Sequence, residues 1–188
     1  VQFSIFQIPV DSGGNPRCRS GSLHGMMKII QSDQEKARTM PSKVYIDGHV
    51  GTTGLRIREW MADRNDVELL TLPEEQRKSR DARRELLCET DVAILCLPDD
   101  ASREAAEWAE QTNTRLIDAS TAHRVQDDWV YGLPELHSDQ REAIRQAKYV
   151  ANPGCYPSAF LLLTRPLIDA GLIEKDAALS VHALSGSS

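Results

Sequence analysis

The chain has 188 residues, 40% of them hydrophobic and 27% charged, and 22 basic against 28 acidic residues give a net charge of −6. That acidic balance speaks against a nucleic-acid or anionic-membrane surface, which needs a basic excess, and no apolar run approaches the roughly 20 residues of a membrane span. Cys18, Cys88, Cys96 and Cys155 form neither a CxxC pair nor a Cys/His ladder, so a metal site is not expected and reduced thiols in the cytoplasm are.

Residues 1–39 carry weak periodicity around Gly13-Gly14-Asn15-Pro16 and read as a loose N-terminal extension. Arg17, Arg19, Lys28, Lys36 and Arg38 would suit a targeting peptide, but Asp11, Asp33 and Glu35 dilute that pattern. The simpler expectation is that Met40 is the natural start.

From Lys43 the pattern becomes strand, turn, helix, repeated. Val44-Tyr45-Ile46 is a short apolar strand entering a glycine turn, followed by Ile57, Trp60 and Met61 at helical spacing. Val67–Leu72 predicts a second strand stopped by Pro73, and Glu74–Cys88 a charged helix turning Ala82, Leu86 and Leu87 inward. Val92–Leu97 predicts a third strand. Asp99 or Asp100 is placed to cap the next helix, with Ala105, Trp108 and Ala109 on its inner face. Arg115–Ala119 predicts a fourth strand and Tyr149–Ala151 another. Strands alternating with helices over short links predict right-handed crossovers and a parallel sheet, an α/β Rossmann-type domain over residues 40–154.

Two stretches point to chemistry. Gly48-His49-Val50-Gly51-Thr52-Thr53-Gly54 joins the first strand to the first helix with GxxGxxG spacing. Such a turn brings backbone close to a pyrophosphate at a helix N-terminus, and the threonine hydroxyls add donors. A tight turn with no ligand is the alternative. The end of the second strand lacks the acid that bonds ribose hydroxyls in NAD enzymes, and Arg77, Lys78 and Arg80 follow it. Those cations suit a 2′-phosphate and favour NADP, although a basic run is also commonly a solvated helix face. The second stretch, Asn152-Pro153-Gly154-Cys155-Tyr156-Pro157-Ser158, carries an apolar strand through a Pro-Gly turn into an apolar helix. Cys155 therefore sits at a helix start, where the dipole favours the thiolate nucleophile. A packed structural cysteine is the competing role, and Cys88 and Cys96 fit it.

These segments together resemble a family. Lys43–Gly54 (KVYIDGHVGTTG), Asp118–Arg124 (DASTAHR), Trp129–Leu136 (WVYGLPEL) and Val150–Ser158 (VANPGCYPS) are similar to N-acetyl-gamma-glutamyl-phosphate reductases, in their shorter type. The likeness runs from about Met40 to the end of the chain, and Met40-Pro41-Ser42-Lys43 resembles that family's start. The resemblance implies NADPH-dependent reduction of N-acetyl-gamma-glutamyl phosphate, a small-molecule acyl phosphate, to the semialdehyde in arginine biosynthesis, with Cys155 attacking and the resulting thioester taking hydride. It also implies a cofactor site at Gly48–Gly54 with Leu97, Pro98 and Ser120 at strand ends facing the crevice. Arg124 is a candidate anion contact for substrate, or equally a surface arginine. Family members carry an acid–base histidine in a later α+β catalytic and dimerisation domain, of which residues 155–188 would be the beginning. The expectation is that Asp176–Ser185 opens its first strand, that the chain as written turns over little, and that the full-length form is a homo-oligomer. His49, His123, His137 and His182 are poor substitutes for that histidine. Two other readings stay open: an aspartate-semialdehyde-type dehydrogenase, and a noncatalytic dinucleotide-binding module.

Overall fold

The protein's computed structural model describes residues 40–184, so the expectations for residues 1–39 and for Ser185–Ser188 lie outside the described residues. Six strands form one all-parallel sheet: β1 (Ser42–Asp47), β2 (Val67–Leu70), β3 (Val92–Leu95), β4 (Arg115–Asp118), β5 (Val130–Tyr131) and β6 (Tyr149–Ala151). Their order across the sheet is β2-β1-β3-β4-β6-β5. The helices are α1 (Thr52–Met61), α2 (Arg80–Cys88), α3 (Asp99–Ala109), α4 (Gln140–Gln146) and α5 (Cys155–Asp169). The expected Rossmann-type sheet is the observed one.

Strand alternation sorts the apolar residues onto two faces. Tyr45, Ala93, Leu95 and Leu116 pack with Leu87 of α2 and with Ala105, Trp108 and Ala109 of α3. Val44, Ile46 and Ile94 point the other way, against Ile57 and Met61 of α1. Layers on both faces explain why the strands read as continuous apolar runs. Chain order reverses between β1 and β3, since β2 lies outside β1 while β3 and β4 continue on the other side. Register pairs Asp47 with Leu95, Leu95 with Asp118, and Asp118 with Ala151. Four strands thus end in one row, and the crevice beyond that row at the reversal point is where such sheets bind ligands.

Several elements differ from expectation, each for a local reason. Trp60 is 72% exposed, because Gly54, Ile57 and Met61 set the inner stripe of α1 and residue 60 lies about 90° round from its centre at 100° per residue. The charged helix begins at Arg80 rather than Glu74: turns bridge Pro73 to Gln76 and Gln76 to Ser79, and the Ser79 side chain then caps α2 by accepting from the Ala82 N–H. At α3 the cap position is Pro98, and Asp99 instead accepts from the Thr121 N–H and hydroxyl. Those hydrogen bonds hold the Asp99 carboxyl below the usual range. The two-residue β5 and the seven-residue α4 were too short to register as periodicity. Residues 177–184, expected as a strand, have no regular structure, because no described strand lies alongside to accept their backbone hydrogen bonds.

Candidate cofactor and nucleophile site

The glycine turn sits at the end of β1, and its three glycines have separate reasons to be glycine. Gly48 has φ +85°, and a Cβ there would lie 2.2 Å from the Cys96 carbonyl oxygen, so both conformation and space demand glycine. At Gly54 a Cβ would fall 2.6 Å from the Gly48 oxygen and 2.7 Å from the His49 Cα, so helix α1 approaches the turn only without a side chain. Gly51 differs. Its φ is −74°, and a Cβ would meet only the Gly48 oxygen at 3.5 Å, an ordinary contact. Nothing inside the fold requires glycine at 51, which leaves open space over the start of α1, a helix with no side-chain cap on its first N–H groups. Free N–H groups, a helix dipole and a cleared approach fit a pyrophosphate.

Two cavities flank the turn. Tyr45, Asp47, Gly48, His49, Val50, Leu72, Arg77, Lys78, Arg83 and Leu97 line one of about 430 Å³. Gly51, Thr52, Thr53, Gly54, Cys96, Leu97 and Ala119 line the other, of about 370 Å³. Leu97 belongs to both, so the crevice runs from the end of β2 past the reversal point to the end of β4. Gly48–Gly54 and Leu97, expected at a cofactor crevice, are brought together there. Pro98 caps α3 and lines neither cavity. Ser120 is buried, and its hydroxyl donates to Asp118 while accepting from the Ala122 N–H. Arg80, grouped with Arg77 and Lys78 in the sequence, pairs with Glu104 and lies over Trp108, away from the cavity.

Cys155 is exposed at the first position of α5, with Gly154 as N-cap. The loop before it is tied to the sheet edge, because the Asn152 N–H donates 2.7 Å to the Asp118 carbonyl. Arg124 strengthens the tie: Nε donates to the Asn152 carbonyl and Nη2 to the Ala119 carbonyl, each at 3.2 Å. A Cβ on Gly154 would lie 2.8 Å from Arg124 Nη1, which places a guanidinium nitrogen beside the residue preceding the cysteine. Along the edge the order is glycine turn, Leu97, Ala119, Arg124, Cys155. From β1 to β6 is three strand spacings, about 14 Å, so a ligand touching both ends must extend along the edge.

Sequence reasoning gave no role to three buried polar residues on this edge, although it weighed one of them, His123, as an acid–base group and set it aside. Asp118 is fully buried and accepts from Ser102 Oγ, from the Ser120 N–H and hydroxyl, and pairs with His123 Nδ1 at 2.6 Å. His123 stacks on Trp129, ring centres 4.0 Å apart, so this loop histidine is a packed one. Asp47 is buried against Arg83 of α2. The available signal was an acid ending an apolar strand, in YID and in LID, where a carboxylate needs a specific partner. His182 is exposed and its Nε2 lies 3.3 Å from the Ser180 hydroxyl. The Cys96 thiol is pushed up to about 11 by burial, then by the Asp118 and Asp47 carboxylates, which suits a packed cysteine.

Residues 43–147 match the family described as semialdehyde dehydrogenase, NAD binding domain. The chain belongs to that family. The chain is 54% identical over 148 residues to N-acetyl-gamma-glutamyl-phosphate reductases of Brucella ovis and of Brucella melitensis biotype 2. Each alignment covers 78% of this chain and 48% of the relative, so the chain spans about half the length of the curated relatives it matches. Among solved structures it is similar to an aspartate semialdehyde dehydrogenase from Francisella tularensis, with TM-score 0.54, 19% identity and coverage of 69% of this chain and 41% of that one. Aspartate semialdehyde dehydrogenase II of Vibrio cholerae, complexed with ASA, gives TM-score 0.52 at 21% identity, covering 70% and 47%. Those two likenesses concern the fold. No helix among the described residues is long and apolar enough to cross a membrane.

Proposed function

We propose that residues 40–184 form the cofactor-binding and nucleophile-bearing part of an NADPH-dependent N-acetyl-gamma-glutamyl-phosphate reductase, with the stretch from Cys155 onward opening its catalytic domain. The observation that carries this is Cys155, exposed at the N-terminus of α5 on the same sheet edge as the Gly48–Gly54 turn. The 54% identity to curated reductases of that name supports this substrate over an aspartyl one.

The Cys155 sulfur attacks the acyl-phosphate carbonyl, forming the C–S bond as the C–O bond to phosphate breaks. Phosphate leaves with the electron pair, and a thioester remains on Cys155. NADPH, when bound, would supply a hydride to the thioester carbon, and the C–S bond then breaks, releasing the aldehyde and returning the thiolate to Cys155. Gly51 and the opening N–H groups of α1 hold the pyrophosphate, while Thr52 and Thr53 line the crevice on the side toward Cys155. Arg77 and Lys78, facing the cavity beyond β2, favour NADP over NAD. Arg124 keeps its Nη1 beside Gly154 and offers a charge to the departing phosphate or to a substrate carboxylate, while its other nitrogens fix the loop. Phosphate leaves readily when a cation offsets its developing charge, so the acylation half-reaction asks mainly for a thiolate, positioning and such a cation.

That makes acylation the discriminating experiment. N-acetyl-gamma-glutamyl phosphate added to the 188-residue chain without cofactor should release one phosphate per protein and leave the acyl group on the Cys155 peptide in mass spectra. Cys155→Ser should give neither. A burst with aspartyl phosphate alone would move the assignment to the aspartyl branch, and absence of any burst would favour a noncatalytic dinucleotide-binding module.

A further inference from the structure

The cavity at the β1–β2 end of the edge contains an acid and an arginine to which the reading above gives no role. Asp47 ends β1 and is 2% exposed. Its carboxylate accepts from Arg83, Nε at 3.1 Å to each oxygen and Nη2 at 3.0 Å, and the Tyr45 hydroxyl lies beside the pair. The guanidinium also lies over Trp108, 5.3 Å from the ring centre. A forked hydrogen bond on one edge and an aromatic face beneath hold a planar cation in a single orientation. Arg83 Nη1 makes no hydrogen bond within the described residues, and the side chain keeps 12% of its surface exposed. Arg83 lines the 430 Å³ cavity together with Arg77 and Lys78.

We infer that Arg83, oriented by Asp47, is a third cationic ligand for the adenosine 2′-phosphate of NADP(H), and that Asp47 acts as its positioning residue. The inference rests on the dinucleotide reading proposed above. The acid that accepts from the ribose hydroxyls and selects NAD ends the second strand of a Rossmann pocket, and β2 carries none there. Asp47 ends β1 instead, and its carboxylate is engaged by an arginine. Of the three cations, Lys78 is a point charge on a flexible stem and Arg77 sits 3.4 Å from Glu74 at the surface. Arg83 is the one whose direction is set before a ligand arrives, so it loses the least freedom on binding.

The test compares adenosine 2′,5′-bisphosphate with 5′-AMP by isothermal titration calorimetry on the 188-residue chain, at fixed ionic strength. Wild type should bind the bisphosphate at least tenfold more tightly. Arg83→Gln should lower that ratio about tenfold, the worth of one charge-assisted hydrogen bond, with 5′-AMP binding little changed. Asp47→Asn carries the decisive sign. It makes the cavity more positive, so a charge-only role for the pair predicts tighter bisphosphate binding, whereas loss of orientation predicts weaker binding. Should Asp47→Asn lose its far-UV circular dichroism, Arg83→Lys decides: it keeps the charge and loses the fork, and the ratio should still fall. An unchanged ratio in Arg83→Gln, or a raised one in Asp47→Asn, overturns the inference while the NADP reading stands. A wild-type chain that binds NAD but does not favour the bisphosphate removes the NADP reading and the inference together. A chain that binds no nucleotide removes the dinucleotide reading itself.

Discussion

Substituting alanine at Gly51 and at Gly54 should separate ligand binding from folding within one seven-residue turn. At Gly54 the new methyl would sit 2.6 Å and 2.7 Å from backbone atoms of Gly48 and His49, which cannot rotate away. Overpacking of that kind costs roughly 3 kcal/mol at the upper end, and alanine in place of glycine inside a helix returns about 1 kcal/mol. The net loss of about 2 kcal/mol corresponds to a fall in Tm of roughly 4–8 °C for a domain of this size. At Gly51 the methyl meets only one atom, at 3.5 Å, with φ already in the region all residues adopt. Alanine is a poorer N-cap than glycine by roughly 0.5 kcal/mol, and reduced freedom of the unfolded chain returns about that much. Gly51→Ala should therefore melt within about 2 °C of wild type, since the two effects nearly cancel. Its methyl nevertheless projects into the space over the first N–H groups of α1. Dinucleotide affinity should drop at least tenfold if a pyrophosphate approaches there, one lost phosphate contact being worth about 1.5–3 kcal/mol. Thermal melts with and without NADP, and titration calorimetry, read both quantities. Gly51→Ala binding NADP like wild type would refute the placement of the pyrophosphate. Gly54→Ala melting like wild type would refute the steric account of the turn.

Other consequences are as direct. Iodoacetamide at pH 8 should label exposed Cys155 before Cys96, whose thiol is pushed up to about 11, leaving roughly a thousandth of it as thiolate; peptide mass spectra that find Cys96 labelled first would contradict this. Because partial burial raises the folded value of Cys96 above its ordinary 9.0, the half-buried thiol contributes stability in full below pH 9 and loses it as pH rises to about 11. Chemical denaturation of wild type and Cys96→Ala across that window should show the wild type losing its relative advantage. Asp118→Ala removes the acceptor of four hydrogen bonds in a fully buried site and should cost about 3–5 kcal/mol in urea unfolding; a loss below 1 kcal/mol would mean the network is not structural. Arg124→Ala should slow the Cys155 reaction with anionic iodoacetate more than with neutral iodoacetamide, because a guanidinium beside Gly154 attracts the former. An equal effect on both reagents would assign Arg124 to loop structure alone.

The repeating strand–helix pattern, the glycine turn and the cysteine at a helix start were legible in the chain alone, because each is a local property. Alternation of apolar runs with turns follows from which residues fit a buried strand. Gly54 is required by contacts within its own strand–turn–helix unit and Gly48 by its φ of +85°, although the Cys96 carbonyl that also crowds Gly48 comes from beyond β3. A Pro-Gly turn ahead of an apolar helix places Cys155 at its first position from sequence neighbours only. The strand order was not legible, and with it went the reversal between β1 and β3 that places the crevice, because strand neighbours are chosen by crossovers spanning many residues. Long-range pairing also decided which charged residues face a ligand. Arg77, Lys78 and Arg80 are nearly contiguous, yet Glu104 on α3 draws Arg80 away, while Arg83, three positions later, reaches Asp47 and the cavity. Asp118 and Asp47 looked like ordinary acids ending strands. Only packing surrounded them with Ser102, His123 and Arg83, because a buried carboxylate is held by whichever distant donors the fold delivers to it.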